Sequence, residues 1–270
     1  MDFGGKTIVI TGASSGIGRE TAILFASTGA RLALVGRNRK RLSSVALECR
    51  NAGAHEAMEL VCDVRDYGQV KGACAAIMKR FRELDVLVNN AGFGAYHAFK
   101  EQEIGELEDM MRTNFFGTVY FTKELLPALA RGSHIVNIGS MAGKLAFPNY
   151  SGYCASKFAV SAFTESLYHE LLPEGIGVHL ICPVGTKTGF FDNPSFEGHP
   201  HRIRYDSMML ASAVAEMVAD AIRKNRPETV PTIRERAILL LKYNLPWLYR
   251  SIMQGNYLKR KTWKTGQQGK

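Results

Sequence analysis

Tyr153 and Lys157 stand four residues apart in YCASKFAVSAFTESLYHELL, a segment with helical spacing, so both project from one helix face. A free phenol near pKa 10 is a poor acid or base at neutral pH, and an adjacent ammonium stabilises the phenolate and lowers that value. Tyr153 then becomes a usable proton donor and acceptor. A YxxxK spacing alone describes many exposed helix pairs of no consequence, so the weight comes from its surroundings. Ser140 lies thirteen residues before Tyr153, just after the apolar run HIVNI (134–138). Asn89, Asn90, Ala91 and Gly92 follow DVLV, and Asn114 falls in the helix expected next. Singly these are a turn hydroxyl, loop-stabilising amides and a mid-helix polar residue bonded to a neighbouring strand. Jointly they cluster at or near C-terminal strand ends, where open α/β sheets bind ligands.

A second constellation opens the chain. Gly12, Ser14, Ser15, Gly16, Ile17 and Gly18 follow the first apolar run and start a helix. Such a turn lets the backbone approach a pyrophosphate and aims unpaired helix N–H groups at it. The first two glycines are separated by three residues, unlike the commoner GxGxxG, and the strand-turn-helix context carries the assignment. The next strand ends in Gly36 and Arg37, where a carboxylate would bind the 2′-hydroxyl of NAD. A guanidinium there fits a 2′-phosphate, which points to NADP (NADPH). Arg39, Lys40 and Arg41 read as the solvated start of a helix. Asp63 is placed to accept from an adenine amino group or to cap a helix.

The elements that must position these residues are legible as alternation. KTIVI (6–10), RLALV (31–35), EAMELVCDV (56–64), DVLVN (85–89), HIVNI (134–138) and GVHLIC (177–182) read as buried parallel strands, with PETVPT (227–232) as an edge strand. Helical spacing fills 16–28, 38–52, 66–82, 103–129 and 152–173. The expected fold is α/β: a Rossmann-type doubly wound parallel sheet with helices on both faces, one domain over 1–232 and a helical extension over 233–270. The formal charge of +9 does not indicate nucleic acid. Residues 1–222 carry 22 Lys/Arg against 23 Asp/Glu, whereas residues 223–270 carry 12 against 2, so the body is neutral and the extension basic. Five cysteines form no CxxC and no Cys/His cluster, which fits a reducing compartment and does not fit structural zinc. The sequence has no signal peptide or run of eighteen apolar residues, so a cytoplasmic setting is expected.

With TGASSGIG (11–18), CDV (62–64), NNAG (89–92), Asn114, IGSMAG around Ser140 and YCASK (153–157), the chain resembles the short-chain dehydrogenase/reductase family over about residues 5–232. The resemblance implies an oxidoreductase acting on a carbonyl or secondary alcohol. It implies Tyr153 as general acid, Ser140 hydrogen-bonding the substrate oxygen, and Lys157 lowering the tyrosine pKa while binding the nicotinamide ribose. Asn114 would hold a relay water. The cofactor contacts it implies fall on Gly12, Ser14, Ser15, Gly16, Ile17, Gly18, Asp63, Val64, Asn90, Ala91, Gly92, Tyr153, Lys157, Pro183, Thr186 and Thr188, beside Arg37. One departure stands out: Cys182-Pro183-Val184-Gly185 displaces by one the glycine that the family places after this proline, while Thr188 keeps its spacing. A dinucleotide-binding sensor on the same fold is the alternative function, disfavoured by the complete Asn, Ser, Tyr and Lys set.

The resemblance places Leu145, Phe147 and Tyr150 at the substrate, under a lid expected over Gly189–Ala211 that carries Phe190, Phe191, Phe196, Met208, Met209 and Leu210, and their apolar character implies a small lipophilic carbonyl or alcohol as substrate. Helical core packing is the equal alternative for Met208 to Leu210. The family likeness implies a homodimer or homotetramer, and Phe115, Phe116, Val119, Phe158, Phe163 and Leu167 are candidate contact residues. In the extension, Ile233, Ala237, Leu240 and Leu241, then Leu245, Leu248, Tyr249, Ile252 and Met253 with Trp247, form stripes beside Arg250, Lys259, Arg260, Lys261 and Lys264. They fit a helix lying peripherally in a membrane interface, or one that covers a partner subunit or walls the substrate pocket.

Overall fold

Each apolar run becomes one strand, and each amphipathic segment returns the chain to lay down the next one in parallel. The computed structural model describes residues 2–192, 194–196 and 208–267. The chain runs β1 (Thr7–Thr11), α1 (Gly16–Ala26), β2 (Arg31–Gly36), α2 (Arg39–Ala52), β3 (Glu56–Val61), α3 (Tyr67–Phe81) and β4 (Leu84–Asn89). It continues through α4 (Ile104–Met111), α5 (Gly117–Leu125), β5 (Leu129–Ile138), α6 (Ser151–Leu171), β6 (Gly177–Ile181), β7 (Thr186–Lys187) and β8 (Met209–Leu210). It closes with α7 (Ala211–Arg223), β9 (Glu228–Thr229), α8 (Ile233–Asn244) and α9 (Pro246–Gln267).

The main sheet has seven parallel strands in the order β3-β2-β1-β4-β5-β6-β9. Chain direction across the sheet reverses between β1 and β4, which opens a crevice at the carboxyl ends of those strands. Strand residues alternate between faces. Ile8, Ile10, Leu32, Leu34, Val86 and Val88 pack on α1, α2 and α7, while Val9, Ala33, Val35, Leu87 and Ile135 pack on α3, α5 and α6. Each such side chain contributes about 1.5–3 kcal/mol by leaving water, and the two layers hold the sheet rigid under the site. A third cluster of Met141, Leu145, Val160, Leu180, Cys182 and Val230 receives Ile238, Leu239 and Tyr249 from the extension.

Several expectations need correction. The helix expected over 103–129 is α4, a π-helical turn at Arg112–Phe116, then α5, and Pro127 ends it in a short 3₁₀ turn. Strand β5 begins at Leu129, earlier than expected, with an irregular register against β4 between Leu84 and Val86. Met208 to Leu210 are not helical; β8 pairs with β7 beside the loop after β6. Leu167 is buried in the second core layer, so it is not available as a contact residue. Within the lid, residue 193 and residues 197–207 lie outside the described residues, as do the side chains of Lys259, Arg260, Lys261 and Lys264.

Candidate active site

Helix α6 carries Tyr153 and Lys157 on one face, as their spacing requires, and Ser140 faces them from the end of β5. The Ser140 hydroxyl stands close enough to the Tyr153 phenol to pull its pKa down in part. Ser140 also accepts from the Ala142 amide at 3.0 Å, which fixes its rotamer. The Lys157 ammonium lies 6.0 Å from the Tyr153 ring centroid and donates to the Ile138 carbonyl at 2.8 Å. The lysine does not lower the tyrosine in this state: burial pushes the Tyr153 phenol up to about 12, against a smaller opposing effect of Ser140. Burial also brings Lys157 down to about 8. Both groups are therefore held towards their neutral forms, because desolvation penalises either charge.

Asn114 sits in the π turn and not in a regular helix. The turn aims the amide back at the loop after β4: Nδ2 donates to the Phe93 carbonyl at 2.9 Å and to Ser156 Oγ at 2.8 Å, and Oδ1 accepts from the Phe93 amide at 2.9 Å. A π bulge of this kind commonly marks a functional position. Ser156, which bridges Asn114 to α6, is a participant that the sequence alone did not single out. Asn89 holds β4 to its neighbours through Thr122 and Asn137, at 3.0 and 2.9 Å.

At the other end of the crevice, Asn90 Nδ2 donates to the Thr11 and Gly12 carbonyls at 3.0 and 3.2 Å, and Thr11 Oγ1 accepts from the Asn90 and Ala91 amides at 3.0 and 3.1 Å. Asn90 thus shapes the glycine turn with its side chain, and Thr11 is a second such residue beyond the expected set. A Cβ on Gly12, at φ +65°, would stand 2.8 Å from Ala91 Cα, and one on Gly16, at φ +55°, would press on Thr188 at 3.1 Å. Only glycine fits both backbone and space there. Thr188 thereby joins the loop after β6 to the glycine turn. Pro183 accepts from the Met141 amide at 2.9 Å, Thr186 donates to the Val184 carbonyl at 2.9 Å, and Val184 packs on the third core cluster.

The turn suits a dinucleotide phosphate. Asn38 and Asp66 cap α2 and α3 with their side chains, but Ser15 makes no side-chain cap on α1, so the amides of that first turn remain for an anion. Ser14 lies beside Gly36, at the end of β2. Arg37 is 61% exposed, with Nη1 at 3.9 Å from Asp63 Oδ2. Asp63 is mainly engaged by Arg65, which the sequence reading overlooked; Nε reaches both carboxylate oxygens at 3.1 Å and Nη2 one of them at 2.8 Å. Burial raises the Asp63 carboxyl, but the Arg65 hydrogen bonds outweigh it and hold the group below the ordinary range. The cap of α3 is Asp66, not Asp63. Val64 is buried against the Gly117 backbone, where it supports the π turn.

Aromatic rings roof the tyrosine. Phe190 packs on Tyr153 at 5.6 Å between centroids, Phe196 packs on Phe190 at 5.5 Å, and Tyr150 lies 6.3 Å from Tyr153. Leu145 and Phe147 join the third core cluster. The lid segment is tied down by Glu106, which accepts from Ser195 Oγ at 2.5 Å.

The short chain dehydrogenase family model matches residues 6–197. The chain belongs to the short-chain dehydrogenase/reductase family. Dehydrogenase/reductase SDR family member 7B of Bos taurus is 40% identical over 183 residues, a match covering 65% of this chain and 56% of that protein. A 3beta-hydroxysteroid dehydrogenase of Mediterraneibacter gnavus is 36% identical over 205 residues, covering 72% and 74%. The crystal structure of a short-chain dehydrogenase/reductase from Burkholderia phymatum in complex with NAD superposes with a TM-score of 0.81 at 30% identity, covering 92% of this chain and 96% of that one. Members of this oxidoreductase family use NAD(P), so the glycine turn and the Ser140, Tyr153 and Lys157 grouping lie on a scaffold that accepts such a cofactor.

Proposed function

We propose that the protein is an NADP(H)-dependent oxidoreductase that interconverts a carbonyl and a secondary alcohol on a lipophilic small molecule. The observation that carries this reading is the convergence of Ser140 from the end of β5 with Tyr153 and Lys157 on one face of α6, at the sheet edge that also bears the uncapped glycine turn. In reduction, Tyr153 donates its proton to the substrate oxygen while Ser140 hydrogen-bonds that oxygen and orients it. Burial keeps Tyr153 protonated, the form that reduction needs. Lys157 sits where it can resupply that proton and meet the nicotinamide ribose, and Asn114 holds the loop and helix that frame a water path to the lysine. The bound nicotinamide supplies or accepts the hydride. The phosphates fall to the turn from Gly12 to Gly18, the adenosine half to Asp63, Val64, Asn90, Ala91 and Gly92, and the carboxamide side to Pro183, Thr186 and Thr188.

NADP is favoured because Arg37 is exposed and positive where NAD needs an acid, and because Arg65 already neutralises Asp63. The hydroxysteroid dehydrogenase among its relatives and the Phe190, Phe196 and Tyr150 roof support an apolar substrate. We divide the chain into the dinucleotide-binding domain, 1–232, and the extension, 233–270. A dimer or tetramer built on α4 to α6 is part of this reading, and so is peripheral membrane contact through the extension. Among the described residues no helix is long and apolar enough to cross a membrane. A panel of ketones, aldehydes and secondary alcohols, followed through the absorbance of reduced nicotinamide with each cofactor, tests the assignment. Turnover of apolar ketones with NADPH is expected, and cofactor binding without turnover of any substrate would leave a sensor.

A further inference from the structure

The loop after β6 is fastened at both ends. At one end Thr188 lies against Gly16, where an added Cβ would meet it at 3.1 Å, so the loop closes on the glycine turn. At the other, Val184 packs on the cluster of Met141, Leu145, Val160, Leu180, Cys182 and Val230. That cluster is built from neighbours of the site: Met141 follows Ser140, Cys182 precedes Pro183, and Val160 lies three residues beyond Lys157 on α6. The Met141 amide, donating to the Pro183 carbonyl at 2.9 Å, joins the serine turn to the loop through the backbone. Ile238 and Leu239 of α8 pack on the same cluster. Polar contacts fasten α8 there as well. Lys242 donates to the Lys144 carbonyl and lies 5.0 Å from the Phe158 ring centroid, while Lys144 pairs with Glu228 of β9 at 2.6 Å. The side chain at 184 is what ties the loop to this packing. The family likeness places glycine at that position, and glycine has neither a side chain to reach the cluster nor the narrow backbone range of a β-branched residue. Beyond Val184 the backbone is set by Thr186 Oγ1, which donates to the Val184 carbonyl at 2.9 Å, and by the Met209 amide, which donates to the Gly185 carbonyl at 3.0 Å.

We propose that Val184 is a positioning residue through which the extension braces the loop 183–188, holding it in the conformation that receives the nicotinamide half of the cofactor. This role rests on the proposed cofactor reading, in which Pro183, Thr186 and Thr188 take the carboxamide side. Close-packed apolar groups transmit small displacements instead of absorbing them, so a helix that completes the cluster also fixes the loop seated on it. Helix α8 thereby acts on the crevice from a distance, and Val184 is the link.

The test is calorimetry on the full-length protein with two pairs of ligands, NADPH against 2′,5′-ADP and NADH against ADP. The second ligand of each pair keeps the adenosine half and lacks the nicotinamide, so the ratio of affinities isolates what the nicotinamide half contributes. Val184→Ala is expected to weaken the dinucleotide that the wild type prefers about fivefold and to leave its adenosine fragment within a factor of about two. Val184→Ile, which keeps a β-branched apolar side chain, is expected to restore the ratio. Leu239→Ala on α8 is expected to lower the same ratio, and the double variant to fall short of the sum of the two effects, since both act through one cluster. The dinucleotide still binds in every variant through its phosphates and adenosine. Circular dichroism melting of the cofactor-free variants reads stability separately, and both substituted side chains are only half-buried, so each variant is expected to fold. A melting midpoint that falls while the ratio holds would make Val184 a packing residue alone and overturn the proposal. Parallel weakening of dinucleotide and fragment would also overturn it, the whole crevice then being disturbed. A ratio lowered by Val184→Ala and unmoved by Leu239→Ala would strike the extension from the role. Wild-type protein that binds neither dinucleotide would overturn the cofactor reading and this role with it, a result that no variant outcome imitates.

Discussion

At the scale of single residues, the proposed chemistry rests on groups whose charge is set by burial. Tyr153 is pushed up to about 12 and Lys157 down to about 8, both by desolvation. Replacing Tyr153 with phenylalanine removes the proton donor and little else, so turnover is expected to fall by about 10²–10⁴ or more while NADPH affinity, read by fluorescence titration, stays within a factor of about two. Lys157→Ala is expected to lower both, since in the proposed mechanism the ammonium serves proton supply and ribose contact; undiminished cofactor affinity in that variant would remove the second role. In the proposed reading, Arg37 is the residue on which cofactor choice turns. Arg37→Asp exchanges a charge-assisted phosphate contact for a repulsion, so NADPH is expected to bind about 10–100-fold more weakly with NADH gaining relative to it. An unmoved Michaelis constant for NADPH would show that the phosphate is held elsewhere.

Among the elements, β5 and β6 carry a device far from the catalytic end. The His134 and His179 rings stack with centroids 5.1 Å apart and share a hydrogen bond at 2.9 Å, and His179 Nδ1 donates to the Arg226 carbonyl at 2.7 Å. Burial favours the neutral form of both rings, and with His179 Nδ1 donating to Arg226 its Nε2 then accepts from His134 Nδ1. Burial first, then the neighbouring His179, brings His134 down to about 4. The unfolded chain takes up its proton near pH 6.5 and the folded one only near 4, so this pair contributes its full stability above about pH 6.5 and loses it as pH falls towards 4. The loss is at most ~3 kcal/mol and less with solvent screening. Thermal midpoints measured at pH 7 and pH 5 are expected to drop for the natural chain and to drop less for His134→Gln; equal drops would place the acid sensitivity elsewhere. The π turn shows the same dependence on neighbours, since Asn114 satisfies three hydrogen bonds only because the extra residue rotates it towards Phe93 and Ser156.

For the molecule as a whole, a neutral body carries a basic extension, so the surface divides by charge. Helices α4 to α6 leave Phe116 40% exposed, with Phe115 packed on it and on Phe163, an apolar face of the kind that subunits cover. Light scattering is expected to give a mass at least twice 29.8 kDa, and a constant monomer mass across concentrations would exclude the oligomer. The extension turns Ile238 and Leu239 inward and leaves Ile233, Leu240, Tyr243 and Trp247 exposed, at 85%, 64%, 65% and 68%. Packing on its own domain accounts for the first set and not for the second. Flotation with anionic vesicles at low salt is expected for the full chain and not after removal of 233–270, with NADPH binding retained. A full chain that stays with the dense fraction would return that face to a partner subunit.

Composition and periodicity were enough to derive the parallel sheet, the helices read at 16–28, 38–52 and 66–82 that run over Gly16–Ala26, Arg39–Ala52 and Tyr67–Phe81, the two helices of the extension and the placing of Tyr153 beside Lys157. Those features are local: alternation, helical spacing and glycine at a strand end act within a few residues, and the physics that selects them is written in the same few residues. What only the tertiary structure decided comes from groups distant in sequence. Arg65 claims Asp63 because Asp109 holds its other arm, at 2.6 Å. Asn114 leaves the helical register because Phe93 and Ser156 compete for its amide. Tyr153 is raised and not lowered because the fold removes water from it faster than Lys157 supplies charge. The Tyr249 hydroxyl loses its water only once the extension folds onto the third core cluster. Desolvation and hydrogen-bond competition depend on everything within a few ångströms, and the chain order does not specify those neighbours until it has folded.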